Sequence, residues 1–325
     1  MKKKISIVCL LMAIFLSLTF GFSSVNADER YVYLGGMPAG FSISTKGAHV
    51  VGLCDVITEQ GLESPAKDAG IQVGDVILKI CNFEINNAKD IENTVISNAV
   101  TDIIIKRDGE ILDKTIKPSK DLSGKFKLGV FIKDSISGIG TITYIDDNRF
   151  ASLGHAVIGD NGDVLSILGG DLYNCNITGV IKGERGKAGE LRGVFLRDKP
   201  IASIEKNLVC GVYGCLNGEY NLSGLEKIAI GDAKMGDAVI YTTIDGSKPI
   251  QYNISIVKNE NYTETKNFVI EVKDEKLLNT TGGIVQGMSG SPIVQDGKLV
   301  GAVTHVFIND PTRGFGISIN NMINN

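Results

Sequence analysis

The sequence has little of several features that mark common functional classes. Among its 325 residues there is no tryptophan, there are only three histidines, and aromatic residues make up 6%. With 39 glycines and no long helical periodicity, the chain favours many short strands and turns. The formal net charge of −4 and the pI near 5.5 provide no broad basic surface, so we expect no nucleic-acid partner. The 43% hydrophobic and 22% charged residues fit a folded protein of about two domains.

Cysteine and histidine are too scattered for a metal centre or a full disulfide framework. Cys9 lies in the apolar leader, and the other five cysteines are Cys54, Cys81, Cys175, Cys210 and Cys215. A chain of this length can build its own core, so we expect most to be buried thiols, with Cys210 and Cys215 as the one plausible local pair. No histidine stands at a ligand-like spacing from a cysteine, and no phosphate-binding glycine motif is present. We therefore expect no metal and no cofactor.

The first 30 residues predict export from the cytoplasm. Lys2-Lys-Lys4 precede an apolar stretch from Ile5 to Phe22, which is the pattern of an export signal. Val25-Asn-Ala27 offers small residues at the positions that a signal peptidase reads. The apolar stretch is also almost long enough to span a bilayer. A signal peptide and a membrane anchor therefore both fit residues 1–30.

A glycine-and-serine turn, Gly287-Met-Ser-Gly-Ser-Pro-Ile293, is the strongest chemical motif of the chain. A serine hydroxyl is a poor nucleophile at neutral pH, so it must project toward a base while backbone N–H groups meet the developing oxyanion. Gly287 and Gly290 permit the positive φ that such a turn requires. We interpret Ser289 as a nucleophile, and the alternative is an ordinary loop, since Gly-Ser-Pro clusters mark turns in many proteins.

The motif resembles that of chymotrypsin-like serine proteases, Gly-Asp-Ser-Gly-Gly-Pro. The longer run Thr281-Gly-Gly-Ile-Val-Gln-Gly-Met-Ser-Gly-Ser-Pro-Ile293, followed by Gly301-Ala-Val-Thr-His-Val306 and Asn309-Asp-Pro311, closely resembles the stage IV sporulation protein B family. That family joins a membrane-proximal PDZ domain to a serine peptidase domain, and the resemblance covers nearly the whole chain after the leader. It implies a mainly β protein of that organisation.

Residues 31–118 are expected to form the PDZ domain. Ser64-Pro-Ala-Lys-Asp-Ala-Gly-Ile-Gln-Val-Gly-Asp-Val-Ile77 resembles a signature of protease-linked PDZ domains. Apolar residues between Ile85 and Ser97 are spaced for a helix that buries one face, which in PDZ domains is a wall of the ligand groove. A PDZ fold that serves only as a spacer is the alternative.

A glycine-rich loop, Leu34-Gly-Gly-Met-Pro-Ala-Gly40, leads into a predicted strand at the place where PDZ domains bind a chain end. We expect Ala39, Gly40 and Phe41 to bind such a ligand. Loop N–H groups would hold its carboxylate, and the peptide would add to the sheet edge by main-chain hydrogen bonds.

Residues 119–325 are expected to form the serine peptidase domain. Short apolar runs separated by turns indicate an all-β domain, a chymotrypsin-like double β-barrel. The charged loop Lys182-Gly-Glu-Arg-Gly-Lys-Ala-Gly-Glu190 also resembles the family. Its sequence leaves open whether it borders the substrate cleft or is simply exposed, and exposure is slightly favoured.

Two histidines are candidates for the general base, because His49 falls in the predicted PDZ domain. Gly154-His155 matches the family's catalytic histidine motif, and a neutral imidazole can accept the Ser289 proton near pH 7. His305 and its neighbour Thr304 follow the nucleophile on a predicted strand. We expect these two residues to support the site rather than supply its base.

A triad also needs a carboxylate, and the oxyanion needs donors. The resemblance points to Asp274, which lies 15 positions before Ser289. By geometry the donors would be the backbone N–H groups of Gly287 and Ser289, and Gly290 is a less certain third. The carboxylates that remain possible in place of Asp274 are Asp146, Asp147, Asp160 and Asp163.

The resemblance implies an exported serine endopeptidase of sporulation signalling with a His-Asp-Ser triad. It would cross the forespore membrane into the intermembrane space, stay anchored at first by its N-terminal segment, and release itself by self-cleavage. Its implied substrate is a membrane-bound regulator whose cleavage triggers processing of a mother-cell sigma factor. The alternative is a PDZ-based binding scaffold with a degenerate peptidase-like domain, and reaction with a serine-directed fluorophosphonate would separate the two.

Overall fold

The computed structural model describes residues 29–159, 162–195, 199–218 and 220–324. The predicted leader, from Lys2 to Phe22, lies outside these residues, and so does Asp160. Within the described ranges no helix is long and apolar enough to cross a membrane. The chain from Tyr31 onward forms one compact unit.

The described chain is mainly β, as the sequence predicted. Its strands are β1 (Tyr31–Leu34), β2 (Pro38–Leu53), β3 (Val56–Thr58), β4 (Gly61–Glu63), β5 (Val76–Ile80), β6 (Phe83–Glu84), β7 (Thr101–Arg107), β8 (Glu110–Ile116), β9 (Ser119–Lys120), β10 (Phe126–Lys127), β11 (Val130–Asp146), β12 (Arg149–Ser152), β13 (Ile167–Ile181), β14 (Glu190–Phe195), β15 (Ala202–Leu208), β16 (Gly211–Leu216), β17 (Lys227–Ile230), β18 (Gly236–Thr242), β19 (Ile250–Thr263), β20 (Lys266–Val272), β21 (Pro292–Gln295), β22 (Lys298–Phe307) and β23 (Asp310–Ser318). The helices are α1 (Pro65–Asp68), α2 (Ala88–Thr94), α3 (Glu275–Thr281) and α4 (Ile319–Ile323).

Two long strands, β2 and β11, connect the remainder of the chain to an inserted segment, residues 46–133. The first half of β2 pairs with β13 on one side and with the second half of β11 on the other. Beyond the bulge between Lys133 and Ser135, the start of β11 pairs with the end of β2, which also pairs with β5. A separate apolar core, extending from Ala48 to Leu128, fills the inserted segment.

The Ser64–Ile77 signature packs into this separate core. Ile77 is fully buried, and the carboxylate of Asp75 accepts bonds of 2.6 Å and 2.7 Å from the guanidinium of Arg107. A buried carboxylate is costly unless it is paired in this way. The signature residues are therefore held in the inserted segment by its apolar core and by one bidentate ion pair, Asp75–Arg107.

The predicted boundary at residue 31 does not coincide with the packing. β1 pairs with β11 and β17, outside the inserted segment. Phe41 and Ile43 pack in a core with residues from β11, β12, β13, β15 and β16. Residues 31–45 therefore belong structurally with the region after residue 133, and residues 46–133 are inserted between them.

The prediction that Ala39, Gly40 and Phe41 bind a chain end is wrong in this structure. All three are buried, and their strand is paired with β11 on one edge and β13 on the other. No edge is left there for an added peptide strand. The physical reason is the long-range pairing of β2, which a local glycine pattern does not reveal.

Two further apolar cores lie outside the inserted segment. One is formed mainly by residues of β18 to β20, the segment before Ser289, and β22, and another joins β1, β17, β22 and α4. The five described cysteines are free thiols, so Cys210 and Cys215 are not joined. Burial raises the pKa of the Cys175 thiol to about 11.

Alanine substitution of two glycines distinguishes this packing from an exposed binding loop. A Cβ at Gly40 would lie 2.2 Å from Cγ of Phe195, whereas a Cβ at Gly138 would meet no atom within 4 Å. We expect Gly40→Ala to lower the free energy of unfolding by about 1–3 kcal/mol through overpacking. Gly138→Ala is the control and should leave it equal or slightly higher. Urea unfolding measures both, and an unaffected Gly40→Ala protein would contradict the pairing described.

Candidate active site

The serine turn starts shortly after α3 and ends at β21. α3 ends at Gly282 in the left-handed conformation, and Gly287 and Gly290 have φ of 95° and 92°. A Cβ at Gly290 would lie 2.2 Å from the carbonyl oxygen of Thr141 and 2.5 Å from the nitrogen of Leu153. Only glycine allows so close an approach. The serine turn therefore packs directly against Leu153, two residues before His155.

The hydroxyl of Ser289 is half-buried and donates a 2.9 Å hydrogen bond to the carbonyl oxygen of Thr304. The Thr304 side chain is buried, and its hydroxyl lies within hydrogen-bond distance of two carbonyl oxygens, those of Thr265 at 3.1 Å and Phe315 at 3.2 Å. Ser291 differs, because its hydroxyl is fully buried and donates to the hydroxyl of Thr242 at 2.9 Å. Of the two serines in the motif, only Ser289 is accessible for chemistry.

His155 follows a turn of two left-handed residues, Leu153 and Gly154, each with φ of 68°. Leu153 is a branched residue in a conformation that usually costs energy, and such strain collects at functional sites. Nδ1 of His155 lies 2.8 Å from the carbonyl oxygen of Ala156. A carbonyl can only accept, so Nδ1 carries the proton and Nε2 keeps the lone pair that a general base needs.

The ring of His305 lies beside that of His155, with centroids 5.1 Å apart and planes tilted by 41°. Burial lowers the pKa of His155. Burial, with added repulsion from His155 and Lys266, lowers the pKa of His305 to about 4. Its Nδ1 is buried and has no hydrogen-bond partner within the described chain. Both imidazoles are therefore neutral at neutral pH.

Asp274 is placed differently from a triad acid. It is the N-cap of α3, where one carboxylate oxygen accepts from the nitrogen of Leu277 at 3.0 Å and the other from Asn253 at 3.4 Å. Among the described residues, no carboxylate forms a hydrogen bond or ion pair with His155. No hydrogen bond joins Ser289 to His155 either. The structure thus holds the predicted residues in a resting arrangement in which the triad is not assembled.

The backbone of the serine turn leaves two donors without acceptors. The nitrogens of Gln286, Met288 and Gly290 donate to the carbonyls of Gly189, Val285 and Val303, respectively. In the described part of the chain, the N–H groups of Gly287 and Ser289 have no acceptor. The sequence predicts these same two N–H groups as oxyanion donors, and the N–H of Gly290, its less certain third, is occupied. A pair of unpaired N–H groups flanking one residue is what a developing oxyanion requires.

The charged loop from Lys182 to Glu190 borders the serine turn. The carbonyl of Gly189 accepts the Gln286 nitrogen at 2.9 Å, and Gly183 donates to the carbonyl of Thr281 at 2.8 Å. The charged side chains of this loop are exposed, as the sequence slightly favoured, and its backbone in addition holds the segment that leads to Ser289.

A second concave site lies in the inserted segment, between the start of β11 and helix α2. A cavity of about 460 Å³ is lined by residues that include Leu128, Gly129 and Val130 on one side and Ala88 and Ile91 on the other. Within the described chain, Val130–Lys133 of β11 pair with β2 alone, so their other edge is open. The nitrogens of Leu128 and Gly129 have no acceptor among the described residues.

Sequence reasoning missed two groups of residues. Thr141 and Thr143 contact the serine turn, and a pair of threonines two apart on a glycine-rich strand was the available signal. The second group is Leu128-Gly129, a leucine–glycine pair before a strand, much like the loop that was favoured at Leu34-Gly35. Leu128-Gly129 comes after the PDZ-like signature in the chain, whereas the glycine-rich loop at Leu34–Gly40 comes before it. The sequence analysis therefore assigned ligand binding to the earlier loop.

An accessible serine, a neutral imidazole and unpaired backbone donors are the groups that a hydrolase attacking through serine requires. The profile of the SpoIVB peptidase S55 family matches residues 124–323, which is more than half of the chain. The chain belongs to this family and is a sporulation peptidase of the serine class. Comparison with curated proteins gives no match.

Solved structures show weaker likeness. The PDZ domain of an SdrC-like protein from Listeria monocytogenes is 19% identical, with a TM-score of 0.23, over 28% of this chain and 93% of that one. The Rv3671c protease in an inactive form is 17% identical, with a TM-score of 0.35, over 57% and 81%. A serine-to-alanine variant of Rv3671c from M. tuberculosis, also inactive, gives the same identity and TM-score over 57% and 78%. Likeness this weak supports no conclusion about function, which rests on the family match and the geometry of the site.

Proposed function

We propose that the protein is a serine endopeptidase in which Ser289 attacks the substrate carbonyl and His155 is the general base. The observation that supports this most strongly is the hydrogen bonding of the serine turn, which leaves the N–H groups of Gly287 and Ser289 without acceptors beside an accessible hydroxyl. Buried or half-buried N–H groups are rarely left unpaired in folded proteins. A turn that keeps two of them next to a serine fits oxyanion binding.

In the proposed reaction Nε2 of His155 takes the Ser289 proton while Oγ bonds to the scissile carbonyl carbon. The oxyanion is held by the two backbone donors, and its collapse breaks the C–N bond as His155 gives its proton to the leaving amine. Water then hydrolyses the acyl-enzyme by the same steps. The Ser289 hydroxyl must first leave the Thr304 carbonyl, which requires rotation of one side-chain torsion between staggered wells.

We keep Asp274 as the proposed acid, on the strength of the family resemblance. An imidazolium that forms in a half-buried site needs a counter-charge, and the resting arrangement supplies none from the described carboxylates. Asp274 would have to leave the N-cap of α3, where its two hydrogen bonds of 3.0 Å and 3.4 Å are with backbone nitrogens. Loss of a cap costs about 1 kcal/mol, which is small beside the stabilisation of a buried cation.

The family membership also supports a role in sporulation signalling. We propose that the peptidase is exported across the forespore membrane, is anchored at first by its N-terminal segment, and cleaves itself. Its substrate would be a membrane-bound regulator whose cleavage releases processing of a mother-cell sigma factor.

The groove between β11 and α2 is the proposed PDZ ligand site, in place of Ala39–Phe41. It has the parts such a site needs: an open strand edge for main-chain pairing, apolar side chains, and unpaired N–H groups at Leu128 and Gly129 for a terminal carboxylate. The positive φ of Gly129, 76°, turns the chain there. A peptide with a free, apolar C-terminus is the proposed occupant.

Two serine substitutions test the assignment of the nucleophile. We expect Ser289→Ala to abolish self-cleavage and fluorophosphonate labelling without changing the thermal midpoint. Ser291→Ala should keep both activities but lower the free energy of unfolding by about 1–3 kcal/mol, because Thr242 loses its buried partner. Labelling at Ser291 in place of Ser289 would reverse the assignment. Wild-type protein that does not label at all would favour the scaffold alternative.

The change Asp274→Asn separates catalysis from helix capping. Asparagine caps a helix about as well as aspartate, so the thermal midpoint should barely move. Turnover should fall by roughly 10⁴-fold if the carboxylate stabilises the imidazolium, and this is the result we expect. Turnover above about a tenth of wild type, an effect under roughly 1.4 kcal/mol, would leave Asp274 as a cap only.

Peptide binding tests the groove. We expect a fluorescent peptide with a free apolar C-terminus to bind at least about tenfold more tightly than its C-terminal amide, a difference of roughly 1.4 kcal/mol. Gly129→Ala should weaken binding, since its Cβ would lie 2.5 Å from the Cys54 carbonyl oxygen, and Gly109→Ala, at φ of 87° in open space, is the control. Fluorescence anisotropy measures the affinity of each peptide for the wild type and for each variant. Equal affinity for the free acid and the amide would rule out carboxylate binding at Leu128 and Gly129.

A further inference from the structure

Two threonines of β11 face the serine turn. Thr141 and Thr143 are two positions apart on one strand, so their side chains point to the same face. They are 1% and 0% exposed. The hydroxyl of Thr141 donates to the carbonyl of Gly287 at 2.9 Å, and that of Thr143 donates to the carbonyl of Gly290 at 2.8 Å. The nitrogen of Thr141 also donates to the carbonyl of Ser289 at 3.0 Å.

With these bonds, every backbone carbonyl from residue 286 to residue 290 has a donor. The carbonyls of Gln286 and Met288 accept from the nitrogens of Leu191 and Ser291, each at 2.9 Å. The C=O and N–H of a trans peptide point in opposite directions. Bonds to these two carbonyls therefore set the direction of the N–H groups of Gly287 and Ser289.

The one peptide between these two, Gly287–Met288, accepts at its carbonyl from the Thr141 hydroxyl, and Thr143 holds the Gly290–Ser291 peptide that follows them. The glycines that bound the turn, at φ of 95° and 92°, resist peptide rotation less than any other residue. Without the Thr141 hydroxyl, the carbonyl of Gly287 would lose its donor, and the peptide would be held by one bond, from the Met288 nitrogen to the Val285 carbonyl at 3.1 Å. Rotation of that peptide would also move the two donor peptides on either side.

We propose that Thr141, with Thr143, is a positioning residue for the oxyanion donors of this peptidase. The inference rests on the proposed function, in which Ser289 is the nucleophile and the N–H groups of Gly287 and Ser289 bind the oxyanion. Neither threonine contacts the reacting atoms. They act by fixing the peptide planes from a strand that lies 146 and 147 positions earlier in the sequence.

Fluorophosphonate labelling of the full chain tests this role. Thr141→Val keeps the size and the strand preference of the residue but removes the donor, and Thr141→Ser keeps the donor. Thr243→Val is the matched control, because the buried Thr243 hydroxyl also donates to a distant carbonyl, that of Gly36 at 3.1 Å. Thr243 does not hydrogen-bond the serine turn.

We expect the maximal labelling rate of Thr141→Val to fall by about 10- to 100-fold, less than the roughly 10²- to 10³-fold cost of deleting one oxyanion donor. The probe concentration for half-maximal labelling should change little. Thr141→Ser should restore most of the rate, and Thr243→Val should lower the thermal midpoint with a normal rate. Thr143→Val should show the same defect as Thr141→Val, and it carries the test if Thr141→Val does not fold.

The outcomes separate the two proposals. Wild-type protein labelled at Ser289, with Thr141→Val labelled at the wild-type rate, would overturn the positioning role and leave the proposed function intact. Equal slowing of Thr243→Val and Thr141→Val would also overturn it, because the loss would then follow stability. Wild-type protein that is not labelled at Ser289 would overturn the proposed function, and the positioning role with it.

Discussion

Hydrogen bonds between one strand and one turn are the constraint on which the site depends. The turn that carries Ser289 is bounded by glycines in the left-handed conformation, so its own sequence does not hold it rigid. Rigidity comes from donors outside the turn, chiefly Thr141 and Thr143 of β11. The same bonds satisfy the carbonyls of the turn, while the N–H groups of Gly287 and Ser289 have no acceptor in the described part of the chain. In the proposed reaction these two N–H groups bind the oxyanion.

The strand that holds the turn also borders the groove of the inserted segment. β11 begins at Val130, on the groove, and reaches Thr141 at the serine turn. Along this length it pairs with β2, and bulges shift the register on both sides of Lys133. The groove and the serine turn are therefore tied to one continuous pair of strands. The inserted segment is joined to the rest of the chain by hydrogen-bonded sheet as well as by covalent linkage.

Local patterns revealed local features of the protein. The serine turn, His155 after a glycine, the buried Ser64–Ile77 signature and the mainly β fold all follow from short stretches of sequence. Pairings between distant segments did not follow, because a strand's pattern specifies which face is buried and not which strand lies beside it. The burial of Gly40 between β11 and β13 and the contact of Thr141 with Gly287 are both of this kind. The capping of α3 by Asp274 is instead a local contact, with Leu277 three positions later, which the family resemblance passed over in favour of a triad role.

The most direct test of the account is a crystal structure of the protein with a phosphonate bound covalently. The account predicts a bond from Oγ of Ser289 to phosphorus and one phosphonyl oxygen about 2.7–3.1 Å from the nitrogens of both Gly287 and Ser289. The Thr141–Gly287 hydrogen bond should be unchanged in that adduct. A phosphonate attached elsewhere, or an oxygen directed away from these two nitrogens, would contradict it.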